Sequence, residues 1–168
     1  MVAQRKIIGW FQGRMELGAR ALCSRSILSD PSDINMKDRL NKYIKFREDF
    51  RPFAPSVLVE RAPEYFINCR YAPFMVITYN VRPNKVKEIP TPTHVNNTVR
   101  IQTVSKSQNG LYYDLIRNFE YETAIPMVTN TEFKRKGSAN LSSPVDALST
   151  FYSTGIDGIA IGNYLVLK

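Results

Sequence analysis

Segments typical of β-strands alternate with segments typical of helices along the whole chain, and this alternation constrains the fold more than any other feature. The predicted strands are residues 5–13, 26–31, 54–60, 73–81, 98–104, 124–130, 158–162 and 164–168. The predicted helices are residues 15–25, 32–46, 62–66, 110–123 and 143–155. Short apolar strands separated by amphipathic helices pack as a sheet with helices on it. We therefore predict an α/β (α+β) fold with a mixed β-sheet, and the 168 residues fit a single domain over residues 1–168.

Some segments also indicate where elements begin and which side chains are buried. Ser32 or Asp33 is expected to cap the helix over residues 32–46. The proline-rich stretch 82–97 is expected to be a surface loop. The buried face of helix 110–123 is predicted to hold its helically spaced apolar residues, Leu111, Leu115, Ile116 and Phe119.

Composition excludes several classes of protein. No run of 18 or more apolar residues is present, so no membrane span is expected, and the first residues lack the pattern of a signal peptide. Cys23 and Cys69 match no metal spacing, which indicates reduced, buried thiols in a cytoplasmic protein. With His94 as the single histidine and two distant cysteines, no structural zinc site is expected and no metal-ligating residue is assigned. A Ser-His-Asp triad stays open, although no Gly-x-Ser-x-Gly motif supports it.

The charge is strongly positive and uneven. The formal net charge is +8, and residues 1–51 hold 11 Lys and Arg against 6 Asp and Glu. An anionic partner is therefore expected at the N-terminal third. Phosphate of a small ligand and phosphate of a nucleic acid both fit.

A basic cluster with interleaved aromatics stands in the stretch IKFREDFRPFAPS, residues 44–56. It contains Lys45, Arg47 and Arg51 together with Phe50 and Phe53. Cations among apolar residues are expected to lie against a packed wall, whereas a solvated basic face lacks such neighbours. The cluster therefore predicts an anion site.

Further arginines follow the first strand, and one lies within a later strand. Arg14 and Arg20 stand close to glycines, which let a backbone approach a ligand while a guanidinium grips its oxygens. Arg25 follows them. A single arginine of this kind is more often solvated or ion-paired, but the set favours a phosphate site. Arg100, in the alternating stretch 98–104, is expected either to face outward or to close the same site.

Polar residues also end one predicted strand. Asn130 and Thr131 stand at the end of the apolar strand predicted over 124–130, and ligands of open α/β sheets bind at strand carboxyl ends. His94 lies in the proline-rich stretch 82–97, and a lone histidine there is more often a surface or hydrogen-bonding residue. From the residues alone, phosphate binding, phosphoryl or nucleotidyl transfer and RNA contact all stay open.

Two long stretches resemble a known family. GWFQGRMELGARALCSRSILSDP and MKDRLNKYIKFREDFRPFAPSVLVE look like the signature of the carbamoyltransferase C-terminal domain of nodulation-type and aminoglycoside O-carbamoyltransferases. The resemblance continues through THVNNTVRIQTV, PMVTNTEF and GNYLVLK, and so covers nearly the whole chain in order.

The resemblance implies a YrdC-like fold and a defined activity. It implies that ATP and carbamoyl phosphate are bound, that a carbamoyl-adenylate is made with Mg²⁺ and that pyrophosphate is released. It also implies a separate N-terminal domain that transfers the carbamoyl group to a hydroxyl. That domain is expected in cis or in trans, since this chain starts where the C-terminal domain starts. No membrane partner is expected, and nucleic acid is not the favoured partner.

The resemblance also assigns roles to residues. The catalytic, anion-binding positions are Arg20, Lys45, Arg51 and Arg100. The positions expected against the nucleotide are Arg47, His94, Asn130, Thr131, Glu132 and Phe133.

The chain departs from the family pattern at residues 132–134, which include two of the positions expected against the nucleotide. The family reads Ser-Phe-Asn where this chain has Glu132-Phe133-Lys134. A carboxylate beside phosphates weakens binding unless a cation bridges them, and Lys134 could compensate. A phosphate-binding domain without turnover is therefore one alternative, and a basic RNA-binding module is another.

Overall fold

The predicted alternation is realised as one mixed sheet with helices packed on it. The computed structural model describes residues 1–134, 137 and 141–168. The strands are β1 (Ile8–Phe11), β2 (Arg25–Ser29), β3 (Ala54–Leu58), β4 (Thr78–Asn80), β5 (Thr98–Arg100), β6 (Gln102–Val104), β7 (Met127–Glu132), β8 (Gly158–Ile161) and β9 (Tyr164–Leu167). The α-helices are α1 (Met36–Leu40), α2 (Ala62–Tyr65), α3 (Gly110–Thr123) and α4 (Pro144–Tyr152). None of the helices in the described part of the chain has the length and apolar character needed to cross a membrane.

Seven strands form the main sheet in the order β6-β3-β7-β2-β1-β8-β9. The pairs β1–β8 and β3–β6 are parallel, and the other neighbours are antiparallel. Strands β4 and β5 form a separate antiparallel pair. Strand β7 lies near the middle of the main sheet, between β2 and β3, so its C-terminal residues sit among segments distant in sequence.

Apolar side chains fill both faces of the sheet. On β1, Phe11 belongs to a core cluster with residues of α1 and α4, whereas Trp10 belongs to a cluster with residues of α3. Alternation along a strand sends neighbouring side chains to opposite faces, so these clusters are two separate layers. The close approach at Gly9 belongs to the first layer, because a Cβ there would meet the ring of Phe133 at 2.6 Å.

Most predicted elements are confirmed, and three are wrong. Residues 15–24 form bends and irregular structure instead of a helix, and the Glu16 carboxylate there accepts from the backbone N–H groups of Leu22 and Ser24. The strand predicted over 73–81 is reduced to β4. Residues 98–104 form two strands in different sheets, because β5 pairs with β4 and β6 pairs with β3.

Smaller differences concern caps and burial. Helix α1 begins at Met36, and Asp33 instead accepts from the backbone N–H of Asn35. Leu111 is exposed, and Tyr112 takes its place in the core. The loop 82–97 contains a 3₁₀ helix (Pro83–Glu88), and it is not wholly at the surface because Ile89 is fully buried. Cys23 is buried as predicted, whereas Cys69 is only half-buried, and both thiols are free.

Candidate functional site

Four segments distant in sequence meet at the C-terminal end of β7. One cavity, of about 250 Å³, is lined by Lys45, Arg47, Glu48, Arg51, Thr131, Glu132 and Lys134; we call it the Lys45 cavity. A second, of about 230 Å³, contains Arg20, Arg100 and Asn130 in its lining; we call it the Arg100 cavity. The two cavities share Arg47, Arg51, Thr131 and Glu132, and together they form what we call the cation cavity. Eight of the ten predicted site residues therefore lie together.

Lys45 is placed by an unusual helix end. Helix α1 continues into a π-helical turn (Asn41–Lys45), which is closed by Phe46 in the left-handed region at φ 48°. Lys45 is 7% exposed, and its Nζ donates to the backbone carbonyl of Glu132. Burial lowers the pKa of Lys45 to about 7, and the charge of Glu132 only partly opposes this shift. The amine therefore titrates in the physiological range.

Asn41 organises the loop that carries the next two cations. Its side-chain Nδ2 donates to the carbonyls of Asp49 and Arg51, both at 3.3 Å, and its Oδ1 accepts from Arg47 Nε at 2.8 Å. Asn41 is fully buried. One amide thus fixes three groups of the segment from Arg47 to Arg51, and this role is not visible in the sequence pattern.

Arg47 and Arg51 lie side by side at the boundary of the two cavities. The Arg47 guanidinium lies 4.7 Å from the centroid of the Phe53 ring. Burial lowers the pKa of Arg47, and the neighbouring charge of Arg51 lowers it further. The predicted apolar wall behind this basic cluster is therefore present, with Phe53 buried and Phe50 exposed.

Arg100 enters the second cavity from β5. Burial lowers its pKa, and the next largest cause is the positive charge of Arg20. Its Nε is buried and has no hydrogen-bond partner among the described residues. Across residues 1–134, 137 and 141–168, no carboxylate forms an ion pair with Arg20, Arg47, Arg51 or Arg100. Neighbouring cations without an ion-paired carboxylate suit the binding of a polyanion.

Glu132 places one negative charge in this cavity. Its carboxylate forms an ion pair with Lys134 at 2.9 Å, so the lysine predicted to compensate for it does contact it. A phosphate in the Lys45 cavity would compete with Glu132 for Lys134.

Asn130 connects the cavity to a buried polar network. Its Nδ2 donates to the carbonyl of Ala21 at 3.2 Å, to Ser56 Oγ at 3.0 Å and to Gln102 Oε1 at 3.2 Å. Gln102 in turn donates to Cys23 Sγ at 3.1 Å. These contacts join β7, β3 and β6 behind the cations and hold Asn130 in one orientation.

Two predicted residues are not brought into the cation cavity. Phe133 is fully buried in the core layer over Gly9. His94 lies at a different cavity, with its Nδ1 3.1 Å from Thr98 Oγ1. Burial, Arg100 and Lys37, in that order, lower the pKa of His94. A role for either against a nucleotide stays a prediction without geometric support.

Arg25, one of the early candidates, has a structural role. Its guanidinium donates to the carbonyls of Gln12, Ser24, Gly13 and Leu141, and it lies 3.6 Å from the centroid of the Phe11 ring. It therefore ties the start of β2 to the loop after β1.

The basic side chains of the cation cavity suit the neutralisation of charge on phosphates.

The side chains that could bind a metal ion are few. Among the described residues, no three His, Cys, Asp or Glu side chains are placed to hold a metal ion. Glu48, Thr131 and Glu132 are the oxygen-bearing side chains of the Lys45 cavity, and Mg²⁺ commonly uses one or two such carboxylates together with substrate phosphates.

Comparison with known proteins finds a match over the whole chain. The sequence model of the family described as "Carbamoyltransferase C-terminus" matches residues 1–168. Nodulation protein NolO of Bradyrhizobium diazoefficiens is 44% identical over 170 residues, covering 99% of this chain and 31% of that protein. Nodulation protein NolNO of Sinorhizobium fredii is 43% identical, over 99% of this chain and 25% of that protein.

A further relative is named for its reaction. The 3'-hydroxymethylcephem-O-carbamoyltransferase of Amycolatopsis lactamdurans is 33% identical over 162 residues, covering 96% of this chain and 31% of that protein. The chain thus spans between a quarter and a third of the length of these three relatives.

Proposed function

The chain belongs to the carbamoyltransferase C-terminal family, and we propose that it activates a carbamoyl group by forming carbamoyl-adenylate from ATP and carbamoyl phosphate. Carbamoyl phosphate gives carbamate and phosphate by hydrolysis. A carbamate oxygen then attacks the α-phosphorus of ATP, and the bond to the β-phosphate oxygen breaks. The products are carbamoyl-adenylate, pyrophosphate and phosphate.

One observation carries the proposal: Arg20, Lys45, Arg51 and Arg100 come from separate segments and line two cavities that share Arg51. In this reaction two anions must approach each other, and charge develops on the leaving pyrophosphate. Positioning and neutralising that charge is the main catalytic requirement, which guanidinium and ammonium groups satisfy.

The site has residues suited to each requirement. Carbamate is already an anion, so its attack requires no general base, and a site without histidine is consistent with the step. The pKa of Lys45 is lowered to about 7 in the chain alone, and a bound phosphate would raise it, so the ammonium would stabilise negative charge on the ligand. Mg²⁺, if held by Glu132 or Glu48 and the phosphates, would neutralise charge on the nucleotide.

The rest of the function depends on a partner. Because the chain covers only about a third of its relatives, we propose that a further carbamoyl-transfer domain, in cis or in trans, delivers the group to a hydroxyl. A YrdC-like fold and a cytoplasmic location also belong to this proposal, on the family resemblance and the two free thiols.

Calorimetry and a pyrophosphate assay test the proposal. ATP and AMP should bind the chain, and pyrophosphate should be released only when ATP, Mg²⁺ and carbamoyl phosphate are all present. The same mixture without carbamoyl phosphate is the control for simple ATP hydrolysis. Absence of any nucleotide binding at millimolar ligand would contradict the proposal.

Glu132 favours a second candidate, a domain that binds the nucleotide without turnover. Its carboxylate lies among the phosphate-binding cations and engages Lys134. This candidate predicts nucleotide binding by calorimetry with no pyrophosphate release, so the two assays together separate it from the first.

A further inference from the structure

Two residues that line the Arg100 cavity each contain a buried polar atom without a hydrogen-bond partner among the described residues, and the two atoms are of opposite character. One is the donor Arg100 Nε, and the other is the acceptor Asn130 Oδ1. Asn130 is only 2% exposed. An unpartnered buried polar atom lowers stability by about 1–3 kcal/mol, so a pair of them on residues that line one cavity indicates a ligand that satisfies both.

The orientation of the Asn130 amide follows from its neighbours. Its Nδ2 faces the carbonyl oxygen of Ala21 and the Oε1 of Gln102, and both are acceptors. The Ala21 carbonyl can only accept, so a reversed Asn130 amide would place its oxygen against another oxygen. The amide nitrogen is therefore fixed toward the network, and the oxygen is the atom left to accept from a ligand.

The complementary ligand must carry an anion and an N–H donor close together. The anion would contact the guanidinium groups of Arg20, Arg51 and Arg100, and the N–H would reach Asn130, all within a cavity of about 230 Å³. Carbamoyl phosphate has its amide nitrogen only a few bonds from phosphorus. The amine of adenine is separated from the nucleotide phosphates by the ribose and fits this spacing less well.

We infer that Asn130 is a specificity-determining residue whose Oδ1 accepts a hydrogen bond from the carbamoyl NH₂ while Arg20 and Arg100 hold the adjoining phosphate. The inference rests on the proposed function and adds to it the group that distinguishes a carbamoyl from an acetyl compound. An acetyl phosphate has a methyl where carbamoyl phosphate has NH₂, so it would leave Oδ1 buried and unpartnered.

Two stable probes that differ only at this group allow a direct test. Phosphonoacetamide carries the NH₂, and 2-oxopropylphosphonate carries a methyl in its place. By calorimetry, the wild-type chain is expected to bind phosphonoacetamide about ten- to a hundredfold more tightly. In Asn130→Ala the two affinities are expected to become equal, chiefly through weaker binding of phosphonoacetamide.

Thr129→Val is the matched control. Thr129 is the neighbouring residue on β7, and it is also buried with an unpartnered hydroxyl, but it does not line the described part of the cavity. This variant should keep the wild-type preference. The comparison of the two probes on the wild-type chain needs no variant, so it decides the question even if Asn130→Ala does not fold.

The outcomes separate the inference from the proposed function. Equal wild-type affinities, or a preference that persists in folded Asn130→Ala, overturn the inference while pyrophosphate binding still supports the function. No binding of pyrophosphate, ATP or either phosphonate overturns both. A preference for AMP over IMP that disappears in Asn130→Ala would assign Oδ1 to the base and so overturn the carbamoyl assignment.

Discussion

Lys45 donates a hydrogen bond from its Nζ to the backbone carbonyl of Glu132, and this contact joins the π-helical turn after α1 to the end of β7. The partner is a carbonyl and not a carboxylate, so the buried ammonium lacks a direct counter-charge there. The positive charges of Arg47 and Lys134 further disfavour its protonated form. The lysine is thus held where an incoming anion would stabilise its charge.

Lys45→Met is expected to alter the pH dependence of stability. The folded-state pKa of about 7 lies below the usual 10.5, so between these values the unfolded chain binds more protons and wild-type stability rises with pH. The contribution of Lys45 is about 1 kcal/mol per pH unit between pH 8 and pH 10 and levels off below pH 7. Urea denaturation at several pH values should show this slope reduced in Lys45→Met.

Lys42→Met is the control for that experiment, because Lys42 lies in the same turn but is exposed. It should keep the wild-type slope. Identical slopes for wild type and Lys45→Met would show that Lys45 keeps an ordinary pKa in the folded chain.

Arg51→Ala and Arg100→Ala are each expected to weaken pyrophosphate binding by about tenfold or more, since each removes a cation without a carboxylate partner in the described structure. Arg51 is exposed, so its removal should change the free energy of unfolding by less than about 1 kcal/mol. Calorimetry gives the affinity and urea denaturation the stability. Arg117→Ala, on the surface of α3, should change neither. Wild-type affinity in both cavity variants would remove the support for the site.

Glu132→Ser is expected to tighten pyrophosphate binding by about tenfold. The substitution removes a negative charge from the cavity and releases Lys134 from its 2.9 Å ion pair. The backbone carbonyl that accepts from Lys45 is retained. Calorimetry at two salt concentrations would measure the effect, with the exposed Glu122→Ser as control. Weaker binding in Glu132→Ser would instead indicate that the carboxylate serves the ligand, for example through Mg²⁺.

Asn41→Ala is expected to weaken pyrophosphate binding by about tenfold, because the loop carrying Arg47 and Arg51 loses three hydrogen bonds. A double-mutant cycle separates this positioning role from general destabilisation. In a chain already carrying Arg47→Ala and Arg51→Ala, the further change at Asn41 should leave affinity unaltered. An equal loss in both backgrounds would contradict the positioning role, and Asn35→Ala, exposed before α1, serves as control.

The sequence predicts best those elements whose start or end is set by residues within the element itself. Helix α4 begins after Ser143, which accepts from the backbone N–H of Asp146 in a capping box, and Pro144 follows at the first helical position. The hairpin of β8 and β9 turns at Gly162-Asn163, where Gly162 has φ 55°. These signals lie within a few residues of the structure that they specify.

The wrong predictions arise where distant partners decide the conformation. Around Arg20, the carboxylate of Glu16 and the Trp10 indole, which donates to the carbonyl of Cys23 at 2.8 Å, bind backbone groups that a helix would have used internally. The alternating stretch 98–104 breaks at Ile101 because its halves find strands in different sheets. Periodicity alone carries no information about which strand is the partner.

In the candidate site, too, some residues could be predicted from the sequence and others depend on partners distant in sequence. The residue types of the cation cavity follow from charge and family resemblance, and eight of the ten predicted residues line it. The roles of Asn41 and Asn130 do not follow, because each depends on carbonyls and amides brought close only by folding. Phe133 was expected at the nucleotide from the family resemblance, but it follows β7 directly and its side chain is buried in the core.

The alignment of β7 between its neighbours has a consequence for the chemistry of the site. Asn130 stands opposite Leu28 on β2 and opposite Ala54 on β3. A slip of one residue would bring Thr129 or Thr131 to that position and turn the amide away from the arginines. A misaligned chain could still be compact and basic, but it would have lost the means to tell one phosphorylated compound from another. The proposed discrimination between ligands therefore depends on the correct register of β7.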